Sequence, residues 1–349
     1  MANANVDHCY QGDCRSVMRA LIAAGVRVQC IVTSPPYWGL RDYGVDGQLG
    51  LEGTLREFLD NMVEVFDLCR KLLADDGTLW LNMGDSYAGS RAGPETGSLR
   101  GTRHNQAEAS KAMTASRRRD DAPIPRSDVR VEGLKPKDLV GQPWRLAFAL
   151  QDAGWWLRQD IIWHKPNPMP ESVRDRCTKA HEYLFLMTKS ERYFFDQDAI
   201  RTPYSAETKA QSFDTMEYKR RDRYKAPDGW NTGPGAHGPF HPAGREKGKA
   251  ASGDYEPKAG ANRRSVWTIS TQAYAAAHFA TFPEALVEPC ILAGSRPGDI
   301  VFDPFMGSGT VASVAQRLGR RWIGAELNPD YIALQTERTR QPGLELTAA

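Results

Sequence analysis

The sequence predicts an α/β fold around a parallel sheet, and three observations predict it. Short uninterrupted apolar runs, such as Val28–Thr33, read as strands buried on both faces. These runs alternate with stretches whose apolar residues recur at helical spacing. Near the end of the chain a glycine-bearing turn, Asp303–Thr310, sits between an apolar strand and a helix, as in folds that hold a nucleotide-like ligand at strand ends.

Taken in order, Val28–Thr33 (VQCIVT) is a buried strand that stops at the turn Ser34-Pro35-Pro36-Tyr37. Leu55–Leu73 carries Leu55, Phe58, Leu59, Met62, Val65, Phe66, Cys69, Leu72 and Leu73 on one helical face and ends at Asp75-Asp76-Gly77. Thr78–Asn82 is a second buried strand, and Pro143–Gly154 a helix with proline at its start. Arg158–Trp163 and Tyr183–Thr188 read as strands. Ile300–Phe302 is the strand before the glycine turn, Val311–Leu318 the helix after it, and Arg321–Glu326 the next strand.

Two segments interrupt this alternation. Residues 86–135 are rich in Arg, Gly, Ser and Ala without apolar periodicity, and read as a mobile insert. Residues 202–264 interleave aromatics with Gly, Pro, Lys and Arg, which suits a module that reads nucleic acid better than a passive linker. The expected organisation is therefore a catalytic part at 1–201, a recognition region at 202–264 and a cofactor part at 265–349 belonging to the same domain as the first. The net charge is only +2, but residues 86–135 carry +4 and 201–264 carry +5, leaving −7 on the remainder. Two basic segments on an acidic body suit a phosphate backbone; two solvated loops are the blander reading.

Composition excludes other classes. No run of about 18 apolar residues is present, so no membrane span is expected. The N-terminus lacks a basic start and an apolar core, so it is not a secretory signal. The 6 cysteines form no CxxC pair, which argues against a zinc site and a disulfide framework and favours a reducing cytoplasm. His8 and His278 lack partners at metal spacing, so no metal is expected. Cys290 follows Pro289 inside an apparent helix and reads as core packing rather than as the nucleophile that methylation at a ring carbon would need.

The glycine turn and the proline turn each imply chemistry. In Asp303-Pro304-Phe305-Met306-Gly307-Ser308-Gly309-Thr310 the glycines permit positive φ and close approach of backbone to a ligand, and the helix start beyond attracts an anionic group. Glu326, at the end of the next strand, is placed to accept hydrogen bonds from ribose hydroxyls. This order alone also admits NAD, although the full GxGxxG is absent because Ala312 stands where its last glycine would fall, and no P-loop Gly-Lys-Ser/Thr follows. In the early turn, Pro35 and Pro36 fix φ and remove two N–H donors, leaving outward carbonyl acceptors. Ser34 adds a hydroxyl and Tyr37 an aromatic face. A base amino group is a poor nucleophile because its lone pair is delocalised into the ring. Two acceptors aimed at its hydrogens restore that lone pair, so Ser34 and the Pro35 carbonyl suit direct methyl transfer to an exocyclic amine, with Tyr37 stacked on a base flipped from the duplex.

These residues carry a resemblance to the amino-methylating DNA methyltransferases that use S-adenosylmethionine. The family's catalytic (D/N/S)-P-P-(Y/F) is matched by Ser34-Pro35-Pro36-Tyr37, and its DPFxGSGT by Asp303–Thr310. Catalytic motif first and cofactor motif last is similar to the permuted group called β. Gly12-Asp13 resembles a motif whose acid lies near the cofactor adenine. Ile162–Asn167 resembles a W-x-K-x-N segment, and His278–Glu284, including Thr281, resembles the stretch near the methionine end of the cofactor.

The resemblance implies a Rossmann-like class I methyltransferase fold with a mostly parallel seven-stranded sheet. It implies a cofactor held by Asp13, Thr281, Asp303, Pro304, Phe305, Gly307, Ser308, Gly309, Thr310 and Glu326, and catalysis by Ser34, Pro35, Pro36 and Tyr37. It implies double-stranded DNA as partner and is compatible with a homodimer. Serine rather than aspartate in the turn favours cytosine N4, with adenine N6 as the alternative. An RNA or protein-amide methyltransferase, and a non-catalytic DNA-binding regulator, are the remaining readings.

Overall fold

Why the two distant turns belong to one site follows from the strand order. The computed structural model describes residues 5–40, 42–88, 133–203, 260–272 and 282–340. Most of the 86–135 insert, most of 202–264, and Arg117–Arg119, His278 and Thr281 lie outside those residues. Internal contacts divide the chain into two units, one comprising Met1–Ala199 with Arg264–Ala349, the other Ile200–Arg263.

The first unit contains β1 (His8–Gln11), α1 (Cys14–Ala23), β2 (Val28–Thr33), α2 (Leu55–Leu72), β3 (Leu73–Met83), α3 (Gln142–Asp152), β4 (Trp156–His164) and β5 (His181–Thr188). In the second unit β6 (Thr202–Pro203) pairs antiparallel with β7 (Gly260–Ala261). The first unit resumes with β8 (Val266–Thr268), α4 (Glu284–Gly294), β9 (Ile300–Asp303), α5 (Thr310–Arg317), β10 (Arg321–Glu326) and α6 (Pro329–Thr339).

Its sheet has eight strands in the order β1-β10-β9-β2-β3-β5-β4-β8. All pairings are parallel except those of β5 with β3 and β4. The count of seven expected from the resemblance is thus corrected to eight: the addition is the three-residue β8, which pairs with β4 through Ile162–His164 and was too short to leave a period in the sequence. From β2 the chain moves to β3 on one side; from β9 it moves to β10 on the other. The carboxyl ends of the adjacent β2 and β9 are therefore a topological switch point, where open α/β sheets bind ligands. The proline turn leaves β2 there, and the glycine turn leaves β9.

The central strands are buried almost continuously because helices cover both faces. Ile31, Leu79, Phe302 and Ile323 pack with Phe58, Met62 and Phe66 of α2 on one face. The alternate positions point the other way: a Cβ added at Gly294 of α4 would meet Thr78 Oγ1 at 2.5 Å, Cys30 Sγ at 2.8 Å and Trp80 Nε1 at 2.9 Å. α2 starts in a capping box, with Thr54 accepting from Glu57 N–H and the Glu57 side chain accepting from Thr54 N–H. It ends at Leu72, and β3 begins at once, so Asp75-Asp76-Gly77 lies within an irregular start of the strand rather than beyond a helix end. Cys290 is fully buried in α4.

Candidate active site

A cavity of about 820 Å³ opens at the switch point. Ser34, Pro35, Pro36 and Tyr37 line it, as do Asp13, Pro304, Phe305, Gly307, Ser308, Thr310 and Glu326. Asp303 and Gly309 are not on its wall, and Thr281 lies outside the described residues.

Asp303 is a strut between the two turns. It is fully buried, and its Oδ1 accepts the Thr33 hydroxyl at 2.6 Å and the Phe305 N–H at 2.9 Å. One carboxylate oxygen thereby joins the end of β2 to the end of β9, across 270 residues of sequence. Among the described residues its Oδ2 has no hydrogen-bond partner. Burial pushes this carboxyl up to about 7, against the opposing effect of its two hydrogen bonds. The raised value means that the folded state holds the proton longer than the unfolded chain, so this carboxyl's contribution to stability is fully present below about pH 4 and is lost as pH rises through about 7. Asp303→Asn removes that dependence while keeping the oxygen acceptor. Its melting temperature, relative to wild type, should be higher at pH 8 than at pH 5; a pH-independent difference would refute the buried charge.

The glycine loop is fixed by Glu326 and by α6. Gly307 takes φ 52° and Gly309 φ 85°, and a Cβ at Gly309 would also meet Gln335 Cγ at 3.0 Å. Glu326 Oε2 accepts from Gly307 N–H at 2.7 Å and Oε1 from Asn328 N–H at 2.8 Å. Burial holds its carboxyl above the usual range, partly offset by those amides. Each oxygen keeps a lone pair for a further donor, which fits the hydroxyls of a ribose. Gln335 donates to Gly307 O at 2.6 Å, and Arg338 donates to the hydroxyls of Ser308 and Thr310, both at 3.0 Å, and to Glu284 at 3.0 Å. Ser308 and Thr310 are thus held from behind by α6. Asp13 caps α1 by accepting from the Arg15 and Ser16 amides and pairs with the Arg15 guanidinium at 2.9 Å. Burial pushes its carboxyl up, but these partners more than offset it, and the net shift is downward.

The proline turn rests on a polar network that motif reading missed. Tyr37 donates its hydroxyl to Glu182 Oε2 at 3.0 Å, and Asn82 Nδ2 donates to the same oxygen at 3.3 Å. Lys165 pairs with Glu182 Oε1 and lies 4.3 Å from the Trp163 ring centroid. Burial, and then the Glu182 charge, raise the Tyr37 phenol well above its usual value, so it stays a donor. Ser34 Oγ is 3.4 Å from the Tyr37 hydroxyl, long for such a bond but the only direction in which these two hydroxyls can chain toward Glu182. Among the described residues nothing donates to the Pro35 carbonyl. Beyond the turn, Trp38 N–H donates to Gln142 Oε1 at 3.1 Å and Gln142 returns a bond to Trp38 O at 3.3 Å. Lys165 did fall in the W-x-K-x-N segment; Glu182 and Asn82 carried no signal beyond bordering apolar strands.

Gly84 lets Tyr37 sit where it does. A Cβ at that position would lie 2.8 Å from Tyr37 Cε2 and 3.3 Å from Glu182 Cδ. Gly84→Ala should lower turnover at this site roughly ten- to a hundredfold by displacing the ring, with affinity for a ligand at the glycine loop unchanged. Equal turnover in steady-state assays would show that the ring position does not matter.

Among the described residues no group of three or more His, Cys, Asp or Glu could hold a metal ion, and no helix is long and apolar enough to cross a membrane. A family model described as DNA methylase, for N6 and N4 amino groups, matches residues 28–337. The type II methyltransferase M.Cfr9I of Citrobacter freundii is 44% identical over 329 residues, covering 94% of this chain and 86% of that protein. M.SmaI of Serratia marcescens is 42% identical over 328 residues, covering 94% and 88%. In fold, the chain is similar to the cytosine-N4-specific PvuII DNA methyltransferase, with a TM-score of 0.56 at 17% identity, covering 98% of this chain and 89% of that one.

Proposed function

We propose, from the premise that this chain belongs to the N6/N4 DNA methylase family, that its target is the N4 amino group of cytosine in double-stranded DNA. The family reaction is the transfer of a methyl group to the exocyclic amine of a DNA base, with S-adenosylmethionine as cofactor. Bound at the glycine loop, that cofactor supplies an electrophilic sulfonium methyl. Glu326 would hold its ribose, and Pro304, Phe305 and Gly307 would border it.

The observation that carries the choice of base is serine rather than aspartate at the head of the turn, the form that the resemblance associates with cytosine N4; beside it, among the described residues, the Pro35 carbonyl is unengaged. Both are neutral acceptors for the two amino hydrogens. Ser34 can direct its own proton to Tyr37, which donates to Glu182, so its lone pairs remain available to the base. The amine then gains lone-pair density as it attacks, without a covalent intermediate, and preorganised acceptors act where charge develops. Tyr37 offers its ring to the flipped base. We assign sequence recognition to residues 202–264, whose basic excess suits DNA phosphates, and place the enzyme in the cytoplasm with that DNA.

Methylating plasmid DNA in vitro, digesting it to nucleosides and weighing the products tests this. N4-methylcytosine is expected. N6-methyladenine would keep the reaction and overturn the base; methylation of RNA alone would overturn the substrate.

A further inference from the structure

We propose that Met169 is a wedge that enters the DNA stack when the target base leaves it. This goes beyond the choice of base and holds for cytosine or adenine; it rests only on methylation of a base taken from duplex DNA. Met169 lies on the cavity wall and is 84% exposed, the most exposed of the large hydrophobic residues described.

A single exposed apolar side chain ordinarily needs no explanation. This one sits on a loop built to hold it out. Pro166, Pro168 and Pro170 fix φ at three of the five positions 166–170. Asn167 Oδ1 accepts the Thr271 N–H at 3.1 Å, and at the foot of the loop Lys165 N–H donates to Ala180 O at 2.8 Å. A stiff, anchored loop spends little conformational entropy when it meets a partner.

The cavity must receive a base that starts inside a duplex. Extruding it costs lost pairing and stacking, and apolar side chains, methionine among them, insert between base steps in proteins that distort DNA. A flexible, polarizable thioether adapts to the irregular gap left behind. Arg174, exposed five residues further on, offers charge to the neighbouring phosphates. Leu40 also lines the cavity but is only 49% exposed, and serves as the control.

The test uses the full chain as Met169→Ala, Met169→Leu and Leu40→Ala. The probe is a synthetic duplex carrying a methylation site mapped on plasmid DNA, prepared with the target base normally paired or opposite an abasic position. In single turnover, Met169→Ala should be slower on the paired duplex by roughly tenfold or more, and within about twofold of wild type on the abasic one, where little pairing must be broken. Met169→Leu should behave as wild type, and S-adenosylmethionine affinity should be unchanged in all three. No loss on the paired duplex, an equal loss on both, or a selective loss in Leu40→Ala instead would overturn the wedge. Wild type inactive on both duplexes would overturn the DNA reading with it.

Discussion

Ser34→Ala is expected to bind S-adenosylmethionine as wild type does and to transfer methyl roughly a hundredfold more slowly, the effect of losing one preorganised partner of the transition state. In the proposed mechanism the hydroxyl accepts from the base amine, and among the described residues its hydrogen-bond neighbour is Tyr37 rather than the glycine loop. Its neighbour in the relay is Tyr37, held by Glu182. Removing the oxygen leaves one amino hydrogen without a partner just as charge develops on nitrogen. Tyr37→Phe should have a smaller effect, since Ser34 can still accept, although the Glu182 oxygen then loses a donor. Calorimetric titration gives the affinity and rapid quench gives the rate. A rate within about twofold of wild type would remove Ser34 from the chemistry.

Asp303→Ala is expected to destabilise the fold by about 2–4 kcal/mol and to weaken cofactor binding before DNA binding. The carboxyl is not on the wall of the cavity at the switch point, so the effect is indirect. Two donors, the Thr33 hydroxyl and the Phe305 N–H, lose their common acceptor inside the core. The end of β2 and the end of β9 are then free to shift against one another, and the Pro304–Gly307 wall moves with them. Asp303→Asn retains an oxygen for both donors and should recover most of the cofactor affinity. If the alanine variant bound cofactor normally and lost only DNA affinity, the strut would not serve the cofactor half.

How much of this could be read from residues alone depends on the distance over which each residue acts. Val28–Thr33, Thr78–Asn82 and Arg321–Glu326 were legible because strands buried on both faces leave continuous apolar runs. β1 was not: only Cys9 of its four residues is buried, and the strand lies at the edge of the sheet. α1 was missed because Asp13, its cap, was read only as a ligand. Ser34-Pro35-Pro36-Tyr37 and the glycine loop announced themselves, because proline and glycine constrain backbone locally. Asp303 belonged to the same motif, yet nothing local shows whether a carboxylate points into a cavity or into the core. Glu182, Gln335 and Arg338 are farther from reach: each acts on a turn between 28 and 145 residues away, through a single side chain.

The proposed reaction depends on the two turns presenting a base amine and a methyl donor to each other. The most direct measurement is a crystal structure of the protein with S-adenosylmethionine. The sulfonium methyl is expected within about 6 Å of Ser34 Oγ and of the Pro35 carbonyl oxygen, leaving room for one amine between them at near-attack distance. A methyl directed away from the proline turn, or a cofactor seated outside the wall formed by Pro304–Gly307 and Glu326, would contradict it.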